Sequence, residues 1–222
     1  MINSEYPNGS EWRKWDLHIH TPASFHWTGQ KVNSNPCDPK NAPLVDQMIH
    51  ALNSAEPAVF AIMDYWTFDG WFALKHRLSQ DDAPKLEKTV FPGIELRLMS
   101  PLKGRLNAHV IFSDQITNQE LIDFKSNLKL EFPGNGVRNL SNAALVDYAR
   151  SVTADKLKHH GIASDKVAEN DEYALEAGSK MAELNCDSYK EAITKVKDKQ
   201  AIGLMPFDTS DGLTGIERNA HY

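Results

Sequence analysis

Asp16-Leu17-His18-Ile19-His20-Thr21 is the stretch on which the reading of this chain turns. A β-strand alternates faces, so it sends His18 and His20 to one side and Trp15, Leu17 and Ile19 to the other. Two imidazoles on one strand face make half a metal site, although a lone His-x-His is more often a pair of histidines on the wet face of a half-exposed strand. A third histidine, His26, follows beyond a Thr-Pro turn that can fold the chain back over the strand end. The surrounding sequence decides between the two readings.

Working outward, Lys14 to His20 reads as a first strand and Pro22 to Pro43 as a long loop, of the kind that is usually functional in a compact domain. Leu44, Val45, Met48, Ile49 and Leu52 recur at helical spacing within Pro43 to Ala55. Ala58 to Met63 is a short apolar run ending at Asp64, as expected of a buried strand. A helix over Gly70 to Gln80 leads to strands over Val90 to Leu98 and Arg105 to Phe112, joined by a short turn through Lys103-Gly104. Thr117-Asn118-Gln119-Glu120 has the form of a helix capping box. Strands alternating with helices predict an α/β fold with a parallel sheet or barrel. From Asn142 to Lys199 the pattern is mainly helical, with nine basic against ten acidic residues between Arg150 and Lys199, which reads as solvated helix faces. Ala201 to Phe207 is a further strand ending in the polar turn Asp208-Thr209-Ser210-Asp211-Gly212.

The 222 residues fit one domain, and a net charge of −6 opposes loose adhesion to nucleic acid, so a phosphate-bearing substrate needs a local basic patch or bound cations. Cys37 and Cys186, the only two cysteines, offer neither a disulfide framework nor thiolate-zinc spacing. With no apolar run long enough to span a membrane and no signal-like amino terminus, the expectation is a cytoplasmic protein without a membrane partner.

An acid or imidazole lies in or just after each early strand: His18 and His20, then Asp64, then Glu95, then His109. In a βα barrel the carboxyl ends of different strands meet on one face, and imidazole with carboxylate suits zinc, manganese or iron. Asp16-Leu17-His18-Ile19-His20-Thr21, Ala61-Ile62-Met63-Asp64-Tyr65, Pro92-Gly93-Ile94-Glu95 and Asn107-Ala108-His109-Val110-Ile111 resemble, in order, motifs of the polymerase and histidinol phosphatase (PHP) family over about the first half of the chain. Asp64-Tyr65 followed by Phe68-Asp69-Gly70, and Glu95-Leu96-Arg97-Leu98, are similar to PHP domains at the amino terminus of large bacterial proteins with an AAA- or SMC-like ATPase, some linked to phage defence.

The resemblance implies a distorted (β/α)7-type barrel, with 142–199 as a helical insertion or cover, that holds two or three divalent ions (Mn, Zn or Fe) and hydrolyses phosphoesters. It implies His18, His20, His26, Glu95 and His109 as metal ligands, with Asp64 matching the Asp of an Asp-His motif. Tyr65 stands where a metal-binding histidine is usual, and the closing Asp-x-His motif is not visible. Asp208 and Asp211 stand at a strand end as candidate carboxylate ligands, or form an ordinary turn. Arg97 and Arg105 flank the Glu95 and His109 strands as candidate phosphate clamps. The leading expectation is a metal-dependent nuclease, with nucleic acid as substrate, an ATPase domain or subunit as partner, and self-association through an unclosed barrel edge. The alternatives are a metal-poor scaffold that regulates such a partner and, needing a bridging lysine that no strand end offers, an amidohydrolase. The five tryptophans, Trp12, Trp15, Trp27, Trp66 and Trp71, read as core and rim packing or as platforms for bases.

Overall fold

The computed structural model describes residues 12–99, 106–134 and 136–205. Arg105, Asp208, Asp211 and His221 lie outside them. Within them the chain is a mixed α/β fold: β1 (Trp15–Ile19), α1 (Asn41–Ser54), β2 (Val59–Ile62), α2 (Asp69–Leu78), β3 (Thr89–Leu98), β4 (Leu106–Phe112), α3 (Asn118–Asn127), β5 (Lys129–Phe132), β6 (Gly136–Asn139), α4 (Asn142–Ser151), α5 (Ala154–His159), α6 (Ser164–Glu169), α7 (Asp171–Met181), α8 (Cys186–Thr194) and β7 (Ala201–Leu204). Five strands form one sheet in the order β1-β2-β3-β4-β7, and β5 and β6 form a separate hairpin. No described helix is long and apolar enough to cross a membrane.

The parallel reading holds for β1, β2 and β3, each connected through a helix, and fails at β4. β4 runs antiparallel to β3 and β7 antiparallel to β4. The cause is the connection over 99–105, shorter than the dozen or more residues that a parallel crossover requires. The described residues thus form an open, mixed five-stranded sheet, where the expectation is a distorted seven-stranded βα barrel with an unclosed edge. Its two edge strands nonetheless face one apolar hollow of about 410 Å³, lined by Trp15 and Leu17 from β1, Phe91 and Ile111 from the centre, and Ile202 and Leu204 from β7. The helices between β6 and β7 leave that hollow uncovered, with Trp15 59% and Ile202 63% exposed.

The first strand departs from simple alternation. Asp16 pairs with Phe60 and Ile19 with Ile62, so three residues of β1 span what two span on β2, and the register shifts between them. Such a bulge puts neighbouring residues on one side. Leu17 joins the apolar hollow with Phe91 of β3, while His18 reaches Glu95, four residues on from Phe91 and so on the same face of β3. The expected separation of Leu17 from the histidines is therefore corrected.

Elsewhere local signals are met. Thr117 accepts from the Glu120 amide while the Glu120 carboxylate accepts from the Thr117 amide, completing the capping box of α3. Gly93 lets the end of β2 pass: a Cβ there would lie 2.6 Å from the Ile62 carbonyl oxygen. The long loop after β1 is tied down by the buried Asn41 side chain, which accepts from Asn33 and donates to the carbonyls of Asn33 and Asn35. The 142–199 stretch is helical as read, lying between β6 and β7. Its α7 docks on the sheet where the Trp66 indole donates to the Ser179 carbonyl at 2.9 Å.

Helices α4 and α7 touch backbone to backbone at Gly178, where an added Cβ would meet the Leu145 carbonyl oxygen at 2.1 Å. Glycine to alanine inside a helix usually stabilises by about 0.5–1 kcal/mol. Here the clash reverses the sign, and Gly178→Ala is expected to lower stability by about 1–3 kcal/mol, as overpacking does. Urea unfolding measures it; a more stable variant would show that the two helices stand further apart.

Candidate metal centre

The three parallel strands end together, and the imidazoles and carboxylate meet there. His18 comes from the bulged end of β1 and His20 from the residue just past it. Glu95 lies on β3 beyond the last pairing with β2, which ends at Ile62 opposite Pro92. His109 is the direct cross-strand partner of Glu95 on β4. His18 Nε2 lies 3.0 Å from Glu95 Oε2, His20 Nε2 3.5 Å from the same oxygen, and His109 Nε2 3.5 Å from Glu95 Oε1. His18, Glu95 and His109 each offer a ligand atom within 4.8 Å of the others, the one such group of three among the described residues. The rings of His18 and His109 meet edge to face at 4.7 Å, and those of His18 and His20 at 5.2 Å.

The electrostatics suit a cation. Glu95 is 2% exposed, and burial alone would push its carboxyl up. The side chains of His109, His18 and Tyr65 outweigh that and hold it down at about 2. Asn107 adds a neutral hydrogen bond, donating to Oε1 at 2.9 Å. The hydrogen bond to Glu95 raises His18 from the ordinary histidine value, against burial, whereas burial lowers His20. His109 Nε2 is buried and lacks a hydrogen-bond partner, since 3.5 Å to Glu95 is too long for a good one. Three imidazoles therefore surround a buried ionised carboxylate, and the nitrogen of one of them makes no well-formed hydrogen bond, which leaves it a lone pair or proton to spend. The residues present therefore fit a divalent ion.

The other sequence-predicted residues are placed differently. Asp64 is fully buried, and both of its oxygens serve the turn after β1: the Thr21 amide donates to Oδ1 at 2.7 Å and the Thr21 hydroxyl to Oδ2 at 2.6 Å. It is not among the three grouped residues. His26 is also apart from that group. Its Nε2 is buried without a hydrogen-bond partner, and burial foremost, then the positive charges of Lys180 and Arg97, bring it down to about 4. Arg97 is 5% exposed and donates to the Lys180 carbonyl at the end of α7, so it joins helix to strand and does not line an open mouth.

Trp66 and Trp71 are core residues, as the packing reading has it, while Trp12 and Trp15 are exposed. Trp27, 39% exposed, lines a groove of about 670 Å³ between β1 and α1 that reaches His20. Sequence reasoning missed Asn107 and the contacts of Tyr65 at this site. Asn107 carried a signal: it stands two residues before His109, on the same strand face.

No family model and no curated protein matches the chain. Among solved structures, an amidohydrolase from Chromobacterium violaceum, determined with bound sulfate and no metal, superposes with a TM-score of 0.37 and 16% identity. The match covers 74% of this chain and 47% of that one, so the chain spans about half the length of that protein. At that level the likeness is too slight to bear on fold or activity.

Proposed function

We propose that this chain is a metal-dependent hydrolase that acts on phosphoesters, with phosphodiesters of nucleic acid as its substrate class. The observation that carries the reading is the trio of His18, Glu95 and His109, whose ligand atoms lie within 4.8 Å of one another, with the carboxylate ionised although buried and the His109 Nε2 free of any well-formed hydrogen bond. Those three would hold a divalent cation of the zinc, manganese or iron type, with His20 beside them. When bound, such an ion supplies Lewis-acid polarisation of the phosphoryl group and activation of water near neutral pH. Burial favours the neutral form of the His20 ring, the form that can accept a proton. The preference for phosphoester over amide substrates rests on the ordered motifs of the sequence, as does the suggestion of an ATPase-coupled role in phage defence.

The rival reading is a metal-poor scaffold, and two placements favour it: Asp64 spends both oxygens on Thr21, and a phenol occupies position 65. Metal analysis of protein purified without chelator separates the two. The hydrolase is expected to hold at least one transition-metal ion per chain and, with manganese, to cleave single-stranded DNA, duplex DNA or RNA in preference to a chromogenic phosphomonoester. Protein that stays free of metal after reconstitution would sink the hydrolase reading.

A further inference from the structure

Resting on that reading, the geometry points to Tyr65 as the positioning residue of the site, a neutral donor that fixes the Glu95 carboxylate and the ring of His20. Its place is unusually determined. It follows β2 and forms a single parallel bridge with Glu95. The backbone hydrogen bonds run on either side of it, from the Glu95 amide to the Asp64 carbonyl and from the Trp66 amide to the Glu95 carbonyl, both at 3.1 Å. The next residue, Trp66, adopts φ of +64°, a left-handed conformation that a bulky side chain takes only when its surroundings impose it. The surroundings are a completely buried indole ring and its hydrogen bond to Ser179. A backbone held in this way has one direction in which to send the Tyr65 side chain.

That direction is into the centre. The Tyr65 ring lies nearly parallel to His20, with an interplanar angle of 8° and a centroid distance of 5.2 Å, and against His26 at 4.2 Å. Its hydroxyl hydrogen-bonds to Glu95, one of the contacts that keep that carboxyl ionised. A carboxylate offers only acceptor atoms, so in this contact the phenolic O–H is the donor. Asn107 holds Glu95 from β4, so the carboxylate has one neutral donor from each neighbouring strand segment and keeps its charge for the face shared with His18 and His109. A donor of this kind orients a ligand and tunes its affinity without touching the metal.

Tyr65→Phe keeps the ring stacking and removes only the hydroxyl. With cobalt(II) as probe, its affinity is expected to fall about 10–100-fold, the usual effect of losing such an outer partner, and the visible absorption bands of the bound ion to shift. The thermal unfolding of the metal-free protein should stay near that of the wild type. In metal-free protein, nuclear magnetic resonance should show the ring signals of His18 and His20 displaced by the same change, and displaced further in Tyr65→Leu, where stacking is lost too. Cobalt affinity and spectrum equal to the wild type would overturn the assignment, as would unmoved His18 and His20 signals whether or not any ion binds. If the signals move but the wild type takes up no cobalt, the positioning of the carboxylate stands and the hydrolase reading falls.

Discussion

Glu95→Gln is expected to abolish stoichiometric metal binding and, with it, hydrolysis. The side chain keeps its size and its contact with Asn107, so the fold should survive, but the one carboxylate among the grouped ligands is gone. Outer-partner losses weaken such sites by about 10–100-fold, and loss of a direct anionic ligand should exceed that. Elemental analysis after dialysis against manganese or zinc measures it; full occupancy in the variant would remove Glu95 from the site. The metal-free protein gives an independent check. Glu95 is held at about 2 by His109, His18 and Tyr65 together, and its contact with His18 raises that ring, so the stabilisation these contacts give is complete between the unfolded values of 4.5 and 6.5. It should be lost on the acid side as pH falls from 4.5 through about 2, and on the alkaline side as pH rises past the elevated pKa of His18. In Glu95→Gln both dependences should disappear, and the His18 titration should move down.

The convergence of His18, His20, Glu95 and His109 was legible because it depends on strand order and strand ends, which hydrophobic runs and helical crossovers report directly. The direction of β4 was legible too, in the length of the link from Leu98 to Leu106, although the alternation of strands and helices obscured it. The hairpin of β5 and β6 has a turn signal at Pro133-Gly134, but its strands are only four residues each, with Leu130, Phe132 and Val137 as their apolar positions, too short a pattern to stand out in the sequence. The bulge in β1 left no trace in the sequence. It arises from pairing with β2, a property of two segments and not of one, and it moved Leu17 to the face of the histidines.

Side-chain roles within the site were less legible still. Arg97 and Glu95 share a strand face by their spacing of two, which suggests a clamp beside a ligand. Only the docking of α7, about eighty residues further on, shows the guanidinium spent on the Lys180 carbonyl. The same holds for Tyr65. Its residue type alone reads as the loss of a ligand, whereas its contacts with His20, His26 and Glu95 give it a use that no spacing in the sequence encodes.

Asp64 marks the sharpest divergence between motif and geometry, and its removal should have the second large effect. Asp64→Ala leaves the Thr21 amide and hydroxyl, both buried, without their acceptor. Each abandoned buried donor costs about 1–3 kcal/mol, so the variant should lose on the order of 2–6 kcal/mol in urea unfolding with chelator present. Asp64→Asn, which can still accept one of the two bonds, should fall in between. The pH dependence carries its own sign. Burial, working against the hydrogen bonds from Thr21, raises the Asp64 carboxyl from 3.8 to about 7. Between those values the folded protein binds a proton that the unfolded chain does not, so stability from this group is greatest below about 4, declines as pH rises, and is level above about 7. Asp64→Asn should flatten that segment of the curve. If Asp64 serves instead as a metal ligand, the outcome reverses: Asp64→Asn would lose metal, while the stability of the metal-free protein would match that of the wild type.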